Sequence, residues 1–145
     1  MKHIVVAVDG SGPSLRAVDM AADIAAKFSA RLTLLTAARS VDDRGIEAYA
    51  KAEHIKDPTE VLQIESARNA LLELRDRATA KGARVVETEA SLGDAAEQIL
   101  SYARSGKVDM IVMGNRGHGQ LAGLLLGSVT QKVVGLAPCS VLVVH

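Results

Sequence analysis

The sequence predicts an α/β domain in which five parallel strands are covered by helices on both faces. Three observations carry this reading. Short β-branched or leucine-rich runs alternate with longer segments whose apolar residues recur every three or four positions. The best of these runs are apolar at nearly every position rather than at every second one, as strands buried on both sides require. The connectors, of roughly 10 to 20 residues, suit right-handed helical crossovers between parallel neighbours.

The first strand is Ile4-Val5-Val6-Ala7-Val8, closed by the turn Asp9-Gly10-Ser11-Gly12-Pro13. Pro13 suits the first turn of a helix, where a missing N–H leaves nothing unpaired. Leu15, Val18, Ala22, Ala25 and Phe28 form that helix's core-facing stripe. Arg31 to Ala37 is the second strand. Arg39 to Asp57 is charged, contains Gly45 and lacks sustained periodicity, so it reads as a long loop or a loosely docked helical excursion. At Asp57-Pro58-Thr59-Glu60 a helix starts, with Asp57 as N-cap and Glu60 closing a capping box. It runs through Val61, Ile64, Leu71, Leu74 and Ala78 to Gly82, a natural C′ residue.

Arg84 to Ala90 is the third strand. A helix opens at Gly93-Asp94-Ala95-Ala96-Glu97, continues through Ile99, Leu100 and Ala103, and stops at Gly106. Val108 to Met113 is the fourth strand, followed by a glycine-rich stretch from Gly114 to Gly127. Ser128-Val129-Thr130-Gln131 has capping-box spacing for a last helix, with Ser128 as the capping residue and Pro138 ending it. Ser140 to Val144 is the fifth strand. The first and fourth, the two longest uncharged or nearly uncharged strands, are expected to be central neighbours. No internal repeat or linker divides the chain, so residues 1–145 form one domain.

Composition excludes several classes. The 17 Lys and Arg balance 17 Asp and Glu, without the basic excess expected of a dedicated nucleic-acid binder. The three aromatic residues, Phe28, Tyr49 and Tyr102, leave a core of Val, Ile, Leu and Ala. Cys139 is the only cysteine, which rules out an internal disulfide or a cysteine-cluster metal site. His3, His54, His118 and His145 show no ligand spacing. No run approaches the roughly 18 apolar residues that cross a bilayer, and the opening run is too short for a signal-peptide core. A cytoplasmic protein without membrane insertion is expected. There is no G-x-S-x-G elbow, no lysine completes a P-loop at Ser128, and Leu15 stands where a Rossmann fingerprint needs its last glycine.

The informative stretch is Gly114-Asn115-Arg116-Gly117, nine further residues, then Gly127-Ser128. Glycines leaving a strand let backbone amides approach phosphate oxygens with no Cβ in the way. A helix N-terminus adds free N–H groups and a favourable dipole. Arg116 offers a charge-assisted contact. The plainer alternative is that Gly114 and Gly117 only shape a loop and Ser128 only caps a helix. Asp9 likewise has two readings: a polar contact to a ligand, or a cap for the next helix.

The pattern G-x2-G-x9-G-[S/T], placed between the fourth strand and a final helix, resembles the ATP-binding branch of the universal stress protein family. The likeness covers the whole chain, through Ile4-Val5-Val6-Ala7-Val8-Asp9-Gly10-Ser11, Gly93-Asp94, Val108 to Gly114, Leu125 to Thr130 and Ala137 to Val144. It implies a doubly wound sheet of order 3-2-1-4-5, like that of the adenine nucleotide alpha hydrolases, with ATP across the carboxyl ends of strands one and four. Ala7, Val8 and Asp9 would flank the adenosine and Ala37 would offer backbone to the adenine. Met113, Gly114 and Gly117 would line the nucleotide, with Arg116 a neighbour of its phosphates, held by Gly127, Ser128, Val129 and Thr130. Mg2+ or Mn2+ would arrive on the phosphates.

The resemblance further implies a homodimer through Val141, Leu142, Val143 and Val144, and a regulated client protein such as a transporter. An apolar strand at a sheet edge is itself a reason to pair with a second copy. No residue near the phosphates is an obvious general base, so no catalytic residue is assigned and at most slow hydrolysis is expected. The alternatives are a nucleotide-dependent hydrolase or transferase and a nucleotide-independent interaction module.

Overall fold

The computed structural model describes residues 1–38, 58–118 and 125–145. The expected excursion from Arg39 to Asp57, with the Asp57 cap, lies outside the described residues. The elements are β1 (His3–Ala7), α1 (Gly12–Phe28), β2 (Arg31–Ala38), α2 (Pro58–Ala80), β3 (Val85–Leu92), α3 (Ala95–Ser105), β4 (Met110–Gly114), α4 (Ser128–Leu136) and β5 (Ser140–Val144). All neighbouring strands are parallel, in the order β3-β2-β1-β4-β5. The chain winds outward from β1 to β3, then returns to the centre at β4 and continues to the opposite edge at β5. Its direction of winding therefore reverses between β1 and β4.

Both faces of the central strands are apolar because each meets a helical layer. Ile4, Val6, Leu32, Leu34 and Val112 pack against Ala17, Val18 and Ala21 of α1 and Leu71 and Ala78 of α2. On the other face, Val5, Leu35, Ile111 and Met113 meet Ala96, Ile99 and Ala103 of α3 and Val133 of α4. The buried stripe of α1 is Ser14, Ala17, Val18, Ala21, Ala22 and Ala25. These small residues bring the helix close to the sheet. Phe28, expected in that stripe, is 58% exposed because it ends the helix beyond the packed layer. On α2 the expected core position Val61 is also exposed, whereas Leu71 and Ala78 are buried. Gly82 follows α2 with φ of +99°, the left-handed conformation that a glycine C′ residue supplies.

Local signals set the helix starts. Ser11 caps α1, its side chain accepting from the Ser14 N–H at 3.3 Å. Asp94 caps α3, accepting from the Glu97 N–H at 3.0 Å, and meets Lys132 of α4 at 3.3 Å. The Glu97 N–H, with Lys132 adding to it, holds the Asp94 carboxyl below its ordinary range. A carboxylate shifted downward stabilises the fold above its unfolded pKa, and that contribution is lost as pH falls through its folded value. Asp94→Ala is therefore expected to destabilise the protein by about 1 kcal/mol at neutral pH. The difference should begin to narrow below about pH 4, the unfolded aspartate range, and close only below the lower folded value. Urea unfolding from pH 7 down to about pH 2 checks it; a loss that stays constant over that range would exclude the charged cap.

Among the described residues, no helix is long and apolar enough to cross a membrane.

Candidate functional site

The site lies at the carboxyl ends of β1 and β4, where strands that wind in opposite directions leave a crevice between their loops. Val8 extends the β1–β2 pairing by one bond, its N–H donating to the Leu35 carbonyl at 2.8 Å, and Thr36 Oγ1 donates to the Val8 carbonyl at 2.7 Å. Asp9 then turns into solvent. Its Oδ1 accepts from the Ser11 N–H at 2.9 Å, and Oδ2 is the atom that a Cβ at Gly117 would strike. Asp9 thus shapes the turn before α1, while the cap itself is Ser11.

The loop that leaves β4 and Gly127, with nine residues between Gly117 and Gly127, meet here. The Asn115 N–H donates to the Val144 carbonyl at 2.7 Å, and the Asn115 carbonyl accepts from the Gly127 N–H at 2.8 Å. This pulls the start of α4 against the loop that leaves β4. A Cβ at Gly127 would sit 3.4 Å from Arg116 Cα and 3.7 Å from the Gly117 nitrogen. His118 Nε2 donates to the Asp9 carbonyl at 2.7 Å, closing the β1 turn onto the same loop. Gly114 is buried against Pro13 and Ser14 at the start of α1.

The start of α4 departs from the sequence reading. Gly127, not Ser128, is the N-cap residue, and no side chain caps the helix. Ser128 is the first helical residue, and Gln131 reaches back to the Leu126 carbonyl at 3.0 Å instead of closing a capping box. The reason is the Asn115–Gly127 bond, which sets the first turn one residue early. The consequence is chemical. The N–H groups of Ser128, Val129 and Thr130 have no hydrogen-bond partner among the described residues, and they open a nine-residue helix whose dipole favours an anion.

Other expected residues contribute only backbone. The Thr130 hydroxyl is buried and donates to the Gly114 carbonyl at 2.9 Å, fastening α4 to β4. Val129 packs on the core and Met113 is 4% exposed. Ser128 and Arg116 are exposed.

A cavity of about 490 Å3 opens beside this crevice, between the ends of β1 and β2 and the stretch of α2 from Gln63 to Leu74. Its volume falls in the range of small-molecule sites. Val8 and Asp9 line it, with Thr36, Gln63, Ser66 and Leu71; Ala7 and Ala37 do not. The α2 side of this cavity was not anticipated from the sequence. A signal was present: Gln63, Ser66, Ala67 and Ala70 place small or polar groups at helical spacing where a core-facing stripe would carry large apolar ones.

A switch-point crevice with an uncapped helix start, two glycine-bearing loops and an adjoining cavity marks a doubly wound α/β protein whose geometry suits an anionic ligand. The sequence profile of the universal stress protein family matches residues 1–145, and the chain belongs to that family. It is 36% identical to universal stress protein MJ0531 of Methanocaldococcus jannaschii over 143 residues, covering 99% of this chain and 81% of that one. Among solved structures, the universal stress protein UspA from Lactobacillus plantarum matches with a TM-score of 0.83 and 26% identity, over 99% of this chain and 97% of that one. A universal stress protein solved in complex with cAMP matches with a TM-score of 0.73 and 33% identity, over 99% and 96% of the two chains.

Proposed function

We propose that the chain is an ATP-binding regulatory protein with, at most, slow hydrolysis. The observation that carries this reading is the row of three amides at the start of α4, held beside the Gly114–Gly117 loop by the Asn115–Gly127 bond. Phosphate oxygens accept from the Ser128, Val129 and Thr130 N–H groups, with Arg116 at the rim. The nucleotide then lies across the end of β1. Its ribose reaches Asp9, an acceptor suited to hydroxyl groups, and its base enters the cavity toward β2 and Ala37.

Among the described residues, no group of three His, Cys, Asp or Glu side chains is placed to hold a metal. Mg2+ or Mn2+ arrives with the phosphates, keeping water and phosphate oxygens as ligands. Three polar groups near the phosphates are engaged within the protein: the Thr130 hydroxyl with Gly114, the Gln131 amide with Leu126, and His118 Nε2 with Asp9. Pairing of β5 edges through Val141–Val144 in a cytoplasmic homodimer, acting on a client protein, completes the proposal.

A second reading is favoured by the relative solved with cAMP: a cyclic monophosphate occupies the same amides. Heat-released small molecules from the purified protein should contain adenine nucleotide, and calorimetry should show Mg-ATP binding that cAMP displaces only weakly. Phosphate release should stay below the usual enzyme range of roughly 1–1000 per second. Silence with millimolar Mg-ATP would overturn the reading, tighter cAMP binding would favour the second, and turnover in the enzyme range would make the chain a hydrolase or transferase.

A further inference from the structure

We propose that the amino-terminal end of the sheet, opposite the nucleotide crevice, is a docking face for an anionic lipid surface. The strands all run one way and the helices between them return, so strand starts and helix ends share this end of the molecule. Contacts within the chain join them into one face. Ala26, near the end of α1, lies beside Gly82, which leads into Arg84 and Val85; a Cβ at Gly82 would sit 3.5 Å from that of Ala26. The Arg31 N–H donates to the Lys2 carbonyl at 2.9 Å, and His3 Nδ1 lies 3.0 Å from the Gly106 carbonyl at the end of α3. Lys2, Lys27, Arg84, Arg104 and Lys107 are exposed on this face, and none has an ion-pair partner among the described residues. The carboxylates near them are engaged: Asp109 accepts from the Lys2 and His3 N–H groups, Asp23 meets Lys81, and Glu87 meets Arg31. Phe28 and Val85, 58% and 51% exposed, stand among these cations.

Two plainer accounts cover only part of this arrangement. Lys27 and Arg104 stand in the last turns of α1 and α3, where the helix dipole favours a cation. Lys2, Arg84 and Lys107, however, lie in no helix. Attraction of the nucleotide fails on distance. The five residues of β1 hold this end about 17 Å from the crevice, roughly twice the screening length at physiological salt. The partner's chemistry follows from shape and composition. The connections here are short, 29–30, 81–84, 106–109 and 137–139, so no long loop rises to wall a groove for a peptide. Cations spread over a flat end read diffuse negative charge, which a bilayer of anionic lipids presents. The exposed phenylalanine and valine gain by entering the boundary between headgroups and acyl chains. Against a nucleic-acid backbone they would meet only charge. The crevice then faces away from the membrane, open to nucleotide.

The test is co-sedimentation of the full chain with vesicles of equal parts phosphatidylglycerol and phosphatidylcholine, set against vesicles of phosphatidylcholine alone. The chain should partition onto the anionic vesicles only, and salt of about 0.5 M should release it. Lys2→Glu combined with Arg84→Glu should lower partitioning at least about twentyfold, since each cation at such a surface contributes about fivefold. Neither residue is helical, so the helix ends are undisturbed. Phe28→Ser should lower it about tenfold without lowering the melting temperature, because the ring is already exposed. Arg68→Glu, at an exposed position midway along α2, controls for overall charge and should change partitioning by less than about twofold. Lys2→Gln with Arg84→Gln repeats the measurement should the charge reversals fail to fold. Absence of partitioning onto the anionic vesicles overturns the proposal. So does partitioning that survives the double substitution or Phe28→Ser, or that falls equally with Arg68→Glu. Tighter binding to a DNA duplex or to polyglutamate at the same salt would assign the face to nucleic acid or to an acidic protein, and the lipid would be excluded.

Discussion

Gly114→Ala is expected to destabilise the fold by about 3 kcal/mol, the upper part of the usual range for overpacking. A Cβ at this position would lie 2.8 Å from Pro13 Cβ, 2.9 Å from the Pro13 carbonyl carbon and 3.0 Å from the Ser14 nitrogen. Two of these atoms are backbone and cannot swing aside. They belong to the first turn of α1, which is itself fixed by the Ser11 cap and by Ser14, buried at 3% exposure. Relief therefore requires α1 to separate from β4. The movement would also strain the Thr130 hydroxyl bond to the Gly114 carbonyl. The melting temperature should drop by about 10 °C for a chain of this size, and urea unfolding should show a matching loss. A variant within about 0.5 kcal/mol of wild type, the scatter of ordinary surface substitutions, would mean that the strand–helix approach is softer than these distances imply.

Gly117→Val is expected to weaken nucleotide binding at least a hundredfold, or about 3 kcal/mol, with stability close to wild type. The atom in the way is the Asp9 carboxylate, the end of a side chain, and Gly117 is exposed. The clash is thus relieved by moving Asp9, which breaks its Oδ1 bond to the Ser11 N–H and, in the binding mode proposed above, withdraws it from the ribose. The remaining valine methyls crowd the approach to the α4 amides. Calorimetry with Mg-ATP measures the loss. Combining Gly117→Ala with Asp9→Ala isolates the collision: the alanine should be less harmful once the carboxylate is gone, a coupling visible in a double-mutant cycle. Gly127→Ala serves as contrast, because its Cβ would meet Arg116 Cα at 3.4 Å, near ordinary contact. If Gly127→Ala proves worse than Gly117→Val, the crevice is not organised around Asp9.

Three of the helix boundaries above were legible locally. Asp94 caps α3 because its carboxylate reaches an N–H three residues on, Gly82 follows α2 because only its backbone takes that φ readily, and Gly106 ends α3 by donating to the Tyr102 carbonyl. The central strands were legible because burial on both faces leaves no polar alternation in Ile4–Val6 or Ile111–Met113. The misplacements share a different cause. Ser128 has the residue type and spacing of a cap, yet the cap is Gly127, because a carbonyl at Asn115 takes the Gly127 N–H from outside the helix. Phe28 continues an apolar stripe but outruns the layer that would cover it.

The amino-acid sequence by itself determined the alternation of strands and helices, a parallel sheet and the glycine pattern of an anion cradle. These follow from periodicity, turn chemistry and backbone freedom, which act over a few residues. Only the tertiary structure decided which amides at the start of α4 stay unpaired, that Thr130 turns inward, and that Gln63 Oε1 is buried without a partner. The physical reason is that a hydrogen bond left open, or an acceptor stripped of water, is defined by groups far away in the chain, and those groups meet only when the sheet has assembled.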